Sequence, residues 1–214
     1  MGNLSFNATF ATGEDWQSVL AACLENLGKK PQGSNFGFLY ITDPLAPYLN
    51  QLLDELRAQT GINDWIGTVG AGICYTGTEI YDEPAAAIMM TTLPEDSYRL
   101  VPAGMDALTE MLTQNRDWFA EQAVHFGIVH GDPRNTHIAQ LIESLSAELE
   151  PGFLVGGLTS ARDSRFLQQV AGEIFEVGLS GVVLSAQLSG GGGLSQGWTP
   201  LEARHRITRA VGAV

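Results

Sequence analysis

Positive charge is scarce in this sequence. Eleven Lys and Arg face 24 Asp and Glu, giving a net charge of −13 at pH 7. A surface of that sign repels nucleic-acid phosphates and anionic membranes, so neither is an expected partner. Cationic and zwitterionic small molecules are not repelled. Cysteine is scarce too. Cys23 and Cys74 stand far apart, which excludes a disulfide scaffold and fits a reducing, cytoplasmic setting. Cys23 falls within a helical apolar pattern and reads as a small core residue. No apolar run approaches the roughly 18 residues of a membrane span. Met1 to Ala11 has no basic segment ahead of an apolar one, so no secretory signal is expected.

Catalytic signatures are missing as well. There is no Gly-x-Ser-x-Gly elbow and no cysteine in a hydrolase context. The four histidines, His125, His130, His137 and His205, form no His-x-x-x-His pair with a Glu and no zinc-spaced cluster with cysteine. The expectation is a non-enzyme with no catalytic residues and no metal site. Gly190 to Gly193 lacks the Lys-Ser/Thr ending of a phosphate loop and reads as a flexible connection or a mobile flap. Gly70-Ala71-Gly72 lacks the third glycine of a dinucleotide fingerprint and reads as close backbone approach at a strand end.

What is present is a chain 44% hydrophobic, long enough to bury a large core. Leu4, Phe6, Ala8 and Phe10 alternate as a strand does. Thr12 to Asp15 opens a helix whose apolar positions are Trp16, Val19, Leu20, Cys23, Leu24 and Leu27, with Gly28 as the stop. Strands are expected at Phe36–Ile41, Trp65–Val69, Glu79–Tyr81, Ala85–Leu93 and Tyr98–Val101. A helix from Met105 runs towards Trp118 and Phe119. Further strands are expected at Phe126–Val129, Phe153–Val155, Glu173–Phe175 and Gly181–Leu188.

The halves repeat one another. Asp43-Pro44 recurs as Asp132-Pro133, and at the same offset Leu49, Gln51, Leu52, Leu53 and Leu56 match Ile138, Gln140, Leu141, Ile142 and Leu145. Val69-Gly70 matches Val155-Gly156 after a small length difference, and Glu79-Ile80-Tyr81-Asp82 resembles Glu173-Ile174-Phe175-Glu176. Self-similarity in this order marks a repeated structural unit, set at about residues 36–101 and 125–190. Asp43 and Asp132 head equivalent helices as cap or turn residues. The expected fold class is α+β, with an α/β-like character: two pseudo-symmetric strand-helix-strand repeats forming mixed β-sheets with helices packed outside. A single twisted sheet is the alternative. The cleft between the repeats is the expected ligand site. Its candidate lining is Gly156, Gly157, Thr159 and Ser160, joined by the loop residues Ser195, Gln196, Gly197 and Trp198.

The repeated unit, the turn Val155-Gly156-Gly157-Leu158, the apolar strand Gly181 to Leu188 and the segment Ser195-Gln196-Gly197-Trp198-Thr199-Pro200 together resemble the N-terminal FIST domain. The resemblance covers nearly the whole chain, 1–214, as one such domain. Trp198 and Thr199 stand where family members often carry a cysteine and a basic residue, so no role resting on those groups carries over. The resemblance implies a bacterial intracellular sensory module that binds a small ligand, an amino acid or related metabolite. Its implied partners are a C-terminal FIST domain, expected to be absent from this chain, or a signalling protein such as a histidine kinase or diguanylate cyclase. It also implies two alternatives. One is a haem-binding nitric-oxide sensor, with His205 or His130 as the axial ligand. The other is a protein-interaction scaffold without a ligand.

Overall fold

The structure is a computed structural model. It describes residues 4–28, 33–122, 124–149, 151–188, 190, 191 and 193. The first half runs β1 (Phe6–Thr12), α1 (Trp16–Leu27), β2 (Phe36–Thr42), a 3-10 segment (Asp43–Tyr48), α2 (Leu49–Thr60), β3 (Asp64–Gly70), β4 (Gly72–Tyr75), β5 (Thr78–Tyr81) and β6 (Ala85–Thr91). Asp15 caps α1 by accepting from the Ser18 N–H at 2.8 Å, while the Asp15 N–H donates to Ser18 Oγ. That reciprocal pair satisfies two backbone donors a helix start leaves open. Val19, Leu20, Cys23 and Leu27 form its buried stripe. Pro44 and Pro47 hold the chain in the tighter 3-10 form before α2 begins. Gly61 then ends α2 in the left-handed conformation, φ 65°.

The second half runs β7 (Tyr98–Val101), α3 (Met105–Gln114), α4 (Arg116–Gln122), β8 (Val124–Gly131), α5 (Ile138–Glu148), β9 (Phe153–Leu158), a 3-10 turn (Ser164–Phe166), β10 (Gln169–Ala171), β11 (Glu173–Phe175) and β12 (Leu179–Ser185). The helix expected to run unbroken from Met105 to Phe119 is divided at Asn115. Its Nδ2 donates to the Met111 carbonyl at 2.8 Å, and its Oδ1 accepts from Arg99 Nε at 2.7 Å. A side chain that competes for backbone carbonyls and is tied to a strand favours a break over another helical turn.

Two mixed sheets result. One has the order β1-β6-β2-β3-β10-β11 and the other β7-β12-β8-β9, while β4 and β5 form a separate hairpin. Within each sheet a parallel pair, β2–β3 or β8–β9, is flanked by an antiparallel strand, β6 or β12. β1 pairs with β6 as β7 pairs with β12. β7, grouped with the first half by the sequence pattern, therefore occupies in the second sheet the place that β1 has in the first. The layers are helices, sheet, sheet, helices. Leu39, Ile41, Trp65 and Val69 pack against α1 and α2, and Val129, Leu179 and Val183 against α3 to α5. Phe36, Phe38, Ile66, Val182 and Leu184 fill the space between the sheets, with Phe126 and Ile128 alongside. Alternate residues of each strand thus serve two cores, which is why the strands read as continuous apolar runs.

Register also identifies the equivalent glycines. Gly67 on β3 lies opposite Leu39, and Gly156 on β9 lies opposite Val129. A Cβ would come within 1.7 Å of the Leu39 carbonyl oxygen at Gly67 and within 1.8 Å of the Val129 carbonyl oxygen at Gly156. The counterpart of Gly156 is therefore Gly67, not Gly70.

Candidate ligand-binding site

The C-terminal ends of both parallel pairs converge where the two halves meet. Gly70, at the end of β3, forms a parallel bridge with Ser160, just past β9. The Ala71 N–H donates to Ser160 Oγ at 3.3 Å. Thr68 Oγ1 donates to the Gln168 carbonyl at 3.0 Å and lies 2.8 Å from Thr159 Oγ1. A hydroxyl has one proton, so Thr159 is the donor to Thr68 in the arrangement that satisfies both contacts.

Tyr40 on β2 and His130 on β8 face each other across the sheets. Tyr40 Oη is 3.1 Å from His130 Nε2, and the rings meet edge-on with centroids 5.4 Å apart. Burial pushes the His130 pKa down to about 4, so the imidazole is neutral at pH 7, and pushes the Tyr40 phenol up to about 12. His130 Nδ1 is buried with no hydrogen-bond partner among the described residues. An unmet buried polar atom costs about 1–3 kcal/mol.

Tyr40, Thr68, Gly70, Ile73, Leu158 and Ser160 line a cavity of about 260 Å³, with the exposed Cys74 at its side. Hydroxyls and apolar groups dominate this lining, and among the described residues it contains no carboxylate or basic side chain. Gly70 and Gly72 make the turn beneath it possible. A Cβ on Gly70 would lie 2.6 Å from the Gly72 carbonyl oxygen, and one on Gly72 would lie 2.3 Å from the Tyr81 ring. Close backbone approach is the physical reason for the Gly-Ala-Gly run.

The residues expected to bind ligand are divided by the fold. Ser160 lines the junction cavity and Thr159 bonds to its wall through Thr68. Gly156 and Gly157 instead line a separate cavity of about 220 Å³ beside α5, with Val129, Ile142, Leu154 and Leu158. Ser195, Gln196, Gly197, Trp198 and His205 lie outside the described residues. Tyr40 and Thr68 were not singled out by the sequence. Their one signal is a polar side chain on the inward-facing side of an otherwise apolar strand. Neither Asp43 nor Asp132 is the N-cap of its helix, but Asp132 is a turn residue as expected, with the Asn135 N–H donating to its carbonyl at 3.1 Å. Asp43 accepts from the Arg162 N–H at 3.1 Å. The buried Asp132 accepts from the Arg134 N–H at 2.8 Å and from its guanidinium. That guanidinium also donates to the Ser164 carbonyl at 2.6 Å. Both acids therefore hold the segment 159–168 that crosses from the second sheet to the first.

His130 does not fit an axial haem ligand here. Its Nε2 is engaged by Tyr40, its Nδ1 is enclosed, and it is 4% exposed. Among the described residues no group of three or more His, Cys, Asp or Glu could hold a metal ion. No helix among them is long and apolar enough to cross a membrane.

The described residues form a two-sheet α+β domain with a small cavity where its halves meet. A family model described as the FIST N domain matches residues 35–214, and the chain belongs to that family. FIST is a family of sensory, signal-transducing domains and not an enzyme family. No curated protein and no solved structure matches the chain.

Proposed function

We propose that this chain is a cytoplasmic sensory domain that takes a small neutral or zwitterionic molecule of amino-acid type into the junction cavity and relays its presence to a signalling partner. The observation that carries the reading is the composition of the cavity. Tyr40 and Thr68 come from the first sheet, Leu158 and Ser160 follow from the second, and among the described residues no ionised side chain lines it. Its volume, about 260 Å³, lies just below the range typical of drug-sized ligands and suits an amino acid. A ligand held by both halves favours one relative fit of the two sheets over another. That difference in affinity is what a signal requires. A C-terminal FIST domain, a histidine kinase or a diguanylate cyclase is the class of partner that would read it.

The test is a thermal-shift screen against the twenty amino acids, followed by calorimetric titration of any that stabilise. A ligand at 100 times its Kd adds about 2.7 kcal/mol to stability. Tyr40→Phe and Ser160→Ala each remove one hydroxyl from the lining and are expected to weaken binding about tenfold, near the upper limit for a neutral hydrogen bond. Stabilisation that both variants leave unchanged places the ligand elsewhere. No stabilisation by any amino acid sinks the proposed ligand class.

A further inference from the structure

The few polar groups of a small cavity fix which end of a ligand it holds. Three hydroxyls belong to the lining of the junction cavity, on Tyr40, Thr68 and Ser160. That of Thr68 is already committed. It donates to the Gln168 carbonyl at 3.0 Å and takes the Thr159 proton at 2.8 Å. Ser160 Oγ accepts from the Ala71 N–H at 3.3 Å, and its own proton has no acceptor among the described residues. The partner of Tyr40 is an imidazole, which either gives or takes a proton. His130 is buried and neutral at pH 7, so one ring nitrogen carries a proton and the other a lone pair. Were Tyr40 to donate to Nε2, the ring proton would sit on Nδ1 as a buried N–H with nothing to accept it. In the reverse arrangement Nε2–H donates to Tyr40 Oη at 3.1 Å, and only a lone pair at Nδ1 is unmet. Orphaned buried N–H groups are rarer than under-satisfied acceptors, which selects the second arrangement. Tyr40 is then the acceptor towards His130, and its proton too has no acceptor among the described residues.

The polar side chains of the cavity therefore offer protons. Tyr40 and Ser160 each have an O–H to give, and each oxygen already accepts from a protein N–H. Cys74 adds a thiol, only a weak donor. Among the described residues the lining has no carboxylate to take an ammonium and no cation to balance an anion. Enclosing an unpaired charge is costly, so a molecule without net charge is favoured. Val69, Ile73 and Leu158 supply apolar wall. Taking the junction cavity as the ligand site proposed above, on which this step rests, we infer that the ligand is held by a carboxyl or amide oxygen that accepts the Tyr40 and Ser160 protons, and that His130 makes Tyr40 a donor. His130 lies outside the lining and acts through Tyr40, as a positioning residue. The ligand class is a small molecule of zero net charge, an amide or an amino-acid zwitterion. Its oxygen end is recognised and its amino group is not.

Three matched panels test this by thermal shift and calorimetric titration of the full chain. They are the twenty amino acids, the amides of the corresponding deaminated acids, and the corresponding decarboxylated amines. Valine, isovaleramide and isobutylamine form one such set. Where an amino acid stabilises, its amide is expected to bind within about tenfold of it. Its amine should bind about 100-fold more weakly, since two hydrogen bonds of about tenfold each are lost. Nitrogen NMR of the His130 ring should find the proton on Nε2. His130→Leu removes the donor and is expected to weaken amide binding about tenfold in the parent, but not in a Tyr40→Phe background. His130→Gln keeps an N–H and should bind nearly as the parent does. If His130→Leu does not fold, the nitrogen spectrum of the parent decides the same point. Amines that bind as well as amides overturn the inference. So do amino acids that bind without their amides, a ring proton on Nδ1, and a His130→Leu loss that persists without the Tyr40 hydroxyl. Where binding in those cases still weakens in Ser160→Ala, the cavity remains the ligand site and only its polarity was misassigned. Stabilisation by no member of any panel overturns this inference and the ligand class together.

Discussion

The two sheets share one plan, and the link after the second parallel strand separates them. Between β3 and β4 stands the single residue Ala71, whereas 159–168 separates β9 from β10. A one-residue link turns β4 straight back into a local hairpin with β5. The longer link lets β10 cross to the other sheet and cover β3, held on the way by Asp43, by Arg134 and by Thr68. Similar hairpins thus have different uses: β10 and β11 cover the edge of β3, whereas β4 and β5 form a sheet of their own. The lesson is that in a pseudo-symmetric pair, connection length decides which edges are covered, even where strand order and glycine positions agree.

The comparison can be broken most severely at the notch. Gly67→Ala drives a methyl into the Leu39 carbonyl, and Gly156→Ala does the same at Val129. Each is expected to lose about 3 kcal/mol or more in urea denaturation, because backbone and not a mobile side chain must move. Gly157→Ala, one residue along, should fall within about 0.5 kcal/mol of the parent. An equal loss at Gly156 and Gly157 would remove the steric argument.

Next in size is an effect of pH on the paired rings. Tyr40 and His130 occupy equivalent strand positions, but of the two only His130 has an ordinary pKa near neutrality. Its pKa falls from 6.5 to about 4 on folding, so the unfolded chain binds the proton first. Stability is full above pH 6.5 and is lost as pH falls towards 4, by about 3 kcal/mol. The Tyr40 phenol, raised from 10.0 to about 12, sets the opposite limit, and its contribution disappears between those values as pH rises. His130→Gln should flatten the acid limb of the stability profile and leave the alkaline limb in place. An unchanged acid limb would assign it to other groups.

A smaller contrast lies at the two edges. Val170→Ala, in the covered edge, is expected to cost about 2 kcal/mol, in the range of large-to-small core changes. Val155→Ala, at a side chain that is 40% exposed on β9, should cost less than about 0.5 kcal/mol. Smallest is Asn115→Ala. It loses the Arg99 contact and the local competition that divides α3 from α4, and is expected to change stability by about 1 kcal/mol while raising helical circular dichroism. A fall in helicity would show that Asn115 supports the helices and does not interrupt them.

Much of the fold was legible from local pattern. The opening of α1 at Thr12 to Asp15, its apolar stripe and its stop at Gly28 follow rules that operate within a turn or two. The strands from Phe36, Ala85 and Gly181 showed as buried runs because both faces of each sheet are covered. β10 was not legible. Gln169-Val170-Ala171 is too short to show alternation, and it becomes a strand only by pairing with β3. The break at Asn115 was hidden for a similar reason, since Arg99 reaches it from β7. In the site, Ser160 and Thr159 were visible as small polar residues after a glycine turn. Tyr40 and Thr68 were not, because one polar side chain in an apolar strand gives no indication of what it faces.

By itself the sequence determined most of the elements, the repeated order of strands and helices, the FIST resemblance and the scarcity of positive charge, because each depends on neighbours along the chain or on composition. Only the tertiary structure decided that β1 and not β7 belongs to the first unit, that Gly156 answers Gly67, that Tyr40 meets His130, and that β10 covers the edge of β3. Those facts depend on pairings between residues far apart in sequence, and one connection of ten rather than one residue in length is enough to redirect them.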